Sequence, residues 1–221
     1  MISVVLPSRD RPAGVLRSIH SLLATAPNQE FEIVVVLDEP DAASHEAVRA
    51  ALPQAAIVTV GADHLGWPGK KFNAGYRATH GEWVLCATDD IEFKAGWLEG
   101  ALALAETYSV IGLFSDEPQG HGAAMLFLMR RDYVETVQRG YLAPPFYRVW
   151  YSDMEVAQRA RALDQYADLQ EPALVHHHPG LGRGVDDHIY ELAMNYVSQD
   201  EATYRRRKAA GYPDPDPESM L

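Results

Sequence analysis

The strongest constraint on this chain is a repeating order: short β-branched runs alternate with stretches of helical periodicity. ISVVLP (residues 2–7) and FEIVVVLD (31–38) are unbroken apolar runs, the pattern of strands buried on both faces, as in parallel sheets. Between them Val15, Leu16, Ile19, Leu22 and Leu23 recur at the spacing of one helix face, with Pro12 suited to the first turn. The order then repeats: DAASHEAVRAAL as helix, AAIVTVG as strand, GKKFNAGYRATHG as helix, EWVLCATDD as strand, AGWLEGALALAETY as helix and SVIGLFS as strand. Such alternation predicts right-handed βαβ units, a mainly parallel sheet and an α/β fold.

The second half is less regular. HGAAMLFLMRRDYVETV predicts a strand leading into a short helix, and APPFYRVWYSDMEVAQRARAL an aromatic loop followed by a helix from about Ser152. EPALVHHHPGLGRG predicts a strand and a glycine-rich loop, and DDHIYELAMNYVSQDEATYRRRKAAG one long helical stretch. The proline-rich, acidic tail (212–221) is expected to be disordered. No linker interrupts the chain, so residues 1–115 and 116–211 are expected to be two halves of one domain.

With 221 residues, 47% of them hydrophobic, the chain can bury a sizeable core. Lys and Arg number 19 against 31 Asp and Glu, a formal net charge of −12 that offers no long-range attraction to nucleic acid or anionic membrane. The single cysteine, Cys86, excludes a disulfide framework within the chain and lies in an apolar run, where a buried, inert thiol is expected. No apolar stretch reaches the roughly 18 residues of a membrane span, and the first residues read as a strand rather than a leader, so a cytoplasmic protein without membrane insertion is expected.

In open α/β sheets ligands bind beyond the carboxyl ends of the strands. Three polar clusters fall there: PSRDR after the first strand, LDEPD after the second and TDDIE after the fourth. Asp41, taken alone, is a good helix N-cap. Asp89 and Asp90 are less easily explained, because adjacent carboxylates at the end of a buried strand repel unless they share a cation. Their oxygens suit Mg²⁺ or Mn²⁺, which in turn bridge phosphate oxygens. Neither a P-loop nor a glycine-rich dinucleotide turn follows an early strand, so any phosphates fall to a metal and to side chains such as Lys70 or Lys71.

These segments resemble the family 2 glycosyltransferases. ISVVLPSRDRPAGVLRSIHSLL, FEIVVVLDEPD, KKFNAGYRATHGEWVLCATDDIEFKAGWLE and FYRVWYSDMEVAQRAR follow that family's motifs in order and spacing over about residues 2 to 162. The resemblance implies a GT-A fold and transfer of a sugar from a nucleoside-diphosphate sugar, most commonly UDP-linked, with inversion. It implies that Pro7, Arg9, Asp38 and Glu39 line the nucleobase pocket and that Lys71 and Asn73 flank the diphosphate and ribose. Thr88, Asp89 and Asp90 stand at the D-x-D position, with Asp89 near ribose or metal, Asp90 a metal ligand, and Mn²⁺ or Mg²⁺ as cofactor. Asp153 matches the catalytic base, and a C-terminal histidine, His178 or His176, would be a further metal ligand. Glu39, Pro40, Thr88 and Ser152 depart from the family pattern.

The three consecutive histidines cannot all face one ion from a strand, since alternate residues point to opposite sides. Trp150 and Tyr151, with Phe146 and Tyr147 nearby, could stack on an acceptor. YRRRK (204–208) reads as a solvated helix face that could also meet a phosphorylated or nucleic-acid acceptor. The acceptor itself is left open among a glycan, a small molecule, a protein and a modified DNA base. Two rivals stand beside the transferase reading: a nucleotidyltransferase on a related scaffold, which would need a basic glycine-rich first loop, and a non-catalytic sugar-nucleotide-binding module.

Overall fold

The computed structural model describes residues 1–61, 67–115, 124–171, 173–179, 182–184 and 188–214. The first strand, β1 (Ile2–Ser8), is buried along its whole length and is flanked on both sides by parallel partners, β2 (Phe31–Asp38) and β4 (Trp83–Cys86). β3 (Ala56–Val60) extends the sheet parallel to β2. On the other side, β7 (Leu126–Arg130) runs antiparallel between β4 and β6 (Val110–Leu113), and β8 (Tyr166–Asp168) closes the edge parallel to β6. The order is β3-β2-β1-β4-β7-β6-β8, mostly parallel as the alternation predicts. Because β7 lies inside the sheet begun by the first half, the two halves share one core.

Pro7 is tolerated in this central strand for a local reason. The β1–β4 ladder stops at Val5 opposite Cys86, while β1–β2 continues to Ser8. Val5 directs its carbonyl toward the β4 side, where it accepts from Ala87, and Pro7 shares that parity. Its missing N–H therefore faces a place where the neighbouring strand has already ended.

Helix α1 (Pro12–Thr25) begins with its proline and buries Val15, Ile19 and Leu22, as the spacing predicts. α2 (Ala42–Ala51) is capped by Asp41, whose side chain accepts from the Ser44 N–H, the bland role expected for it. α3 (Pro68–Tyr76) ends sooner than expected: Arg77, Ala78 and Thr79 turn back on the carbonyls of Asn73, Gly75 and Tyr76. α4 (Trp97–Ala105) and the short α5 (Arg131–Thr136) follow the expected places.

Two short strands are not foreseen. β5 (Ile91–Phe93) follows Asp90 directly and pairs antiparallel with β9 (Leu174–His176), and β8 is the other. The long C-terminal helix is broken into α7 (His188–Met194) and α8 (Val197–Ala209). At the break the Ala193 carbonyl accepts from Trp150 Nε1 and from the N–H of Tyr196, a tight turn that ends the helix. Of the tail, Tyr212, Pro213 and Asp214 are held down rather than disordered: Asp214 pairs with Arg139 and Arg159, each at 2.9 Å, and the Pro213 carbonyl accepts from Arg207. Residues 215–221 lie outside the described residues. Among the described residues no helix is long and apolar enough to cross a membrane.

Candidate active site

β1, β2 and β4 run parallel, so Ser8, Asp38 and the segment after Cys86 emerge at one edge of the sheet. Ser8 joins them. Its hydroxyl donates to Asp89 Oδ2 at 2.6 Å, and its carbonyl accepts from Lys71 Nζ at 3.1 Å. Lys71 Nζ also lies 2.8 Å from Asp38 Oδ2, a buried ion pair that bridges α3 to the end of β2. Arg9 lies 3.7 Å from the same carboxylate. The other Asp38 oxygen, Oδ1, is buried and accepts no hydrogen bond among the described residues. A buried acceptor in that state is costly unless a ligand donor meets it. Glu39, next in sequence, is exposed.

The adjacent acids diverge. Asp89 is buried between Ser8 and Arg11, whose Nη1 is 3.2 Å from Oδ1. Burial and the neighbouring Asp90 charge push its carboxyl upward, against Arg11 and Ser8. Asp90 turns the other way: Oδ1 accepts from the Thr88 hydroxyl at 2.6 Å, and Oδ2 lies 3.3 Å from His176 Nε2. Burial acts upward on Asp90 too, but His176, Thr88 and Arg11 outweigh it and hold the carboxyl low. The repulsion that pointed to one shared cation is thus relieved by separate partners, and Thr88, where an acid was expected, steadies Asp90.

The geometry of β9 explains the histidines. Pairing of Ile91 with His176 and a bond from the His177 N–H to the Asp90 carbonyl fix the strand beside the acids. His176 and His178 share a side, their ring centres 5.0 Å apart, while His177 turns to Glu92 at 2.8 Å. His178 packs edge-on against Tyr190 of α7. His176, one of the two candidate histidines, meets Asp90. Among the described residues no three His, Cys, Asp or Glu side chains converge on one point. Asp90 and the His176–His178 pair offer a hard oxygen and imidazole nitrogens, a donor set that fits a divalent ion whose other positions are filled by a ligand.

Close backbone approach shapes this edge at two glycines. A Cβ on Gly14 of α1 would lie 2.3 Å from the Asp89 carbonyl oxygen, and one on Gly184, at φ +111°, would lie 2.4 Å from the His177 carbonyl. The described part of the glycine-rich loop folds against the histidine strand.

Asn73 is engaged with the second half of the chain. Its amide donates to the Ala143 carbonyl at 2.9 Å and accepts from the Ala143 N–H at 3.0 Å. Both ends of the side chain thus tie α3 to the loop that leads toward Asp153.

Asp153 lies in the first turn of α6 (Ser152–Ala162), half-buried. Tyr151 stands at the N-cap without a side-chain cap bond of its own, at φ +71°, an unusual conformation for a large residue, and stacks on Tyr204 at 5.2 Å. Of the charged residues that follow on this helix, Glu155 is buried and Arg159 half-buried. Glu155 is fully buried, accepts from Tyr147 at 2.6 Å and forms a two-pronged ion pair with Arg207 at 2.7 and 2.8 Å. The Tyr147 hydroxyl is pushed up by burial and by Glu155, so it stays protonated and donates. YRRRK is accordingly not one solvated face, because Tyr204 and Arg207 are buried. Asp200, also buried, accepts from the N–H groups of Arg148, Val149 and Trp150 at 2.8–2.9 Å and so shapes the approach to Asp153. Trp150 is anchored through Nε1 to α7.

Ser8, Arg11, His176 and the Glu155–Arg207–Asp200 framework are the residues that sequence reasoning passed over or left undecided. PSRDR drew attention to Arg9, yet Arg11, at the N-cap of α1, is the one seen to meet Asp89. Cys86 is buried as expected, its thiol pushed up to about 12 by desolvation.

No curated protein sequence matches. Among solved structures, TarS of S. aureus in complex with UDP-GlcNAc superposes with a TM-score of 0.64 at 16% identity, covering 86% of this chain and 60% of that one. The mannosyltransferase PcManGT of Pyrobaculum calidifontis, with GDP-Man and Mn²⁺, gives 0.67 at 18% identity, covering 93% and 64%. Glucosyl-3-phosphoglycerate synthase of Mycobacterium tuberculosis, with Mn²⁺, UDP and phosphoglyceric acid, gives 0.62 at 14% identity, covering 98% and 80%. The chain thus spans less than two thirds of the TarS and PcManGT chains, and at these identities the likeness is one of fold, the GT-A arrangement. The sequence profile of glycosyl transferase family 2 matches residues 3–137, more than half of the length, and the chain belongs to that family.

Proposed function

We propose that this protein transfers a sugar from a nucleoside-diphosphate sugar, UDP-linked, to an acceptor hydroxyl with inversion at the anomeric carbon. The observation that carries the reading is the Asp90–His176 pair, 3.3 Å apart at the carboxyl edge of the sheet where the family's acid motif falls. Asp38 Oδ1, buried and without a donor among the described residues, is suited to a nucleobase N–H, with Pro7 and Arg9 beside it and Glu39 at the rim. Asp90 and His176, with His178 alongside, would hold Mn²⁺ or Mg²⁺, and Asp89 with Ser8 and Arg11 would keep Asp90 in place. The ion when bound would offset the charge that builds on the departing diphosphate. Asp153, at the start of α6, would take the proton of the attacking hydroxyl. Trp150 and Tyr151 precede it on a segment held by Asp200 and would flank the acceptor.

Asp153→Asn tests the base against the rival reading of a pure binding module. The account expects UDP binding with Mn²⁺ to persist and sugar transfer or donor hydrolysis to fall by roughly 10²–10⁴-fold. Wild-type protein that binds UDP but never turns over a UDP-sugar would favour the module instead.

A further inference from the structure

Two cations near the seam between the halves have no carboxylate beside them among the described residues. Lys70 Nζ and the Arg148 guanidinium each lie 4.4 Å from the centre of the Trp67 ring, and Arg148 also lies 5.1 Å from the Tyr196 ring. Among the described residues neither pairs with an acid, whereas Arg9, Arg11, Arg159 and Arg207 each do. Both distances are measured to one ring, so the two charges are within about 9 Å of each other, close enough to repel at a half-buried site. In a chain with net charge −12, two neighbouring cations with no acid beside them among the described residues are suited to an anion. The Trp67 Nε1–H adds a donor, buried with no acceptor among the described residues.

The cluster is fixed in place. Trp67 and Lys70 begin α3, whose next residue, Lys71, reaches Ser8 and Asp38. Arg148 belongs to the segment that leads to Asp153, and Asp200 holds its backbone N–H at 2.9 Å. Asn73 ties α3 to that segment through Ala143. Packing on two rings restricts the Arg148 side chain, so less freedom is lost when it meets a planar or tetrahedral oxyanion.

We propose that Lys70, Arg148 and Trp67 form a subsite for a phosphate group carried by the acceptor. This rests on the transferase reading above and names the class of acceptor it would take: one whose hydroxyl sits near a phosphate mono- or diester. The basic helix end is less suited, since Arg207 is buried on Glu155 and Arg205 pairs with Glu201 at 2.6 Å.

The test is thermal denaturation of wild type and of the Lys70→Gln/Arg148→Gln double variant, with glycerol phosphate, unphosphorylated glycerol as control, and UDP–Mn²⁺. In wild type already saturated with UDP–Mn²⁺, glycerol phosphate at ten times its Kd should raise Tm by roughly 3–6 °C. The double variant should keep the UDP–Mn²⁺ shift and lose the phosphate shift. A wild type that ignores glycerol phosphate, or a double variant that still responds, overturns the subsite. Loss of the UDP–Mn²⁺ shift in the double variant also overturns it, by assigning the cations to the donor's diphosphate. Failure of the transferase reading shows elsewhere, as a wild type with no UDP–Mn²⁺ shift, while the glycerol phosphate arm still decides the anion site.

Discussion

His176 Nε2 meets Asp90 Oδ2 at 3.3 Å because β9 pairs with β5 in a register that sets His176 opposite Ile91. The strand's alternation then places His178 on the same side and sends His177 to Glu92. His176→Ala is therefore expected to weaken Mn²⁺-dependent UDP binding by about 10–100-fold, and His178→Ala by less. His177→Ala should leave it within about twofold. Calorimetric titration of the three variants checks the order.

Gly14→Ala would normally favour a helix, by up to about 1 kcal/mol. Here the added methyl would lie 2.3 Å from the Asp89 carbonyl, a backbone atom that cannot simply turn away. The expected outcome is a net loss of roughly 1–3 kcal/mol in urea unfolding, with weaker UDP–Mn²⁺ binding because Asp90 shifts with its neighbour.

Glu155 and Arg207 are buried together, so removing one strands the other. Glu155→Ala is expected to cost about 3–5 kcal/mol. Glu155→Leu combined with Arg207→Met should recover part of that loss, because no charge is left alone in the core. Urea titrations of the single and double variants measure both.

Glu32 links stability to acid. Partial burial acts to raise its carboxyl, but hydrogen bonds from the His80 N–H at 2.7 Å, from Ser3, from the His80 ring and from the Gly81 N–H outweigh it and lower it to about 2. A carboxyl held lower in the folded than in the unfolded chain stabilises above the unfolded value, near 4.5, and that contribution is lost as pH falls toward 2. Wild type should accordingly lose more stability than Glu32→Gln between pH 6 and pH 3. Chemical denaturation at the two pH values reads the difference, which should be modest because the site is near solvent.

The parts of the fold legible in the sequence are those whose signal is local. The β-branched runs of β1 and β2, the phase of α1, the Asp41 cap and the parity of the three histidines all follow from neighbours in the chain. The parts that escaped depend on distant partners. β5 and β8 are three residues each and exist only through β9 and β6. Glu155 and Arg207 look like surface charges until α6 and α8 come together, and the tie from Asn73 to Ala143 joins residues far apart in the chain. At the site itself, the acids after β4 stood out because apolar residues lead straight into them. Arg11 did not, because its meeting with Asp89 depends on how α1 folds over the sheet edge.

The most direct measurement is the calorimetric affinity for UDP with Mn²⁺ and with chelator, in wild type and in Asp90→Asn. The account predicts binding that requires the ion and that falls by about 100-fold or more in the variant, with the fold intact by circular dichroism. UDP binding that is indifferent to chelator and unchanged in Asp90→Asn would contradict it.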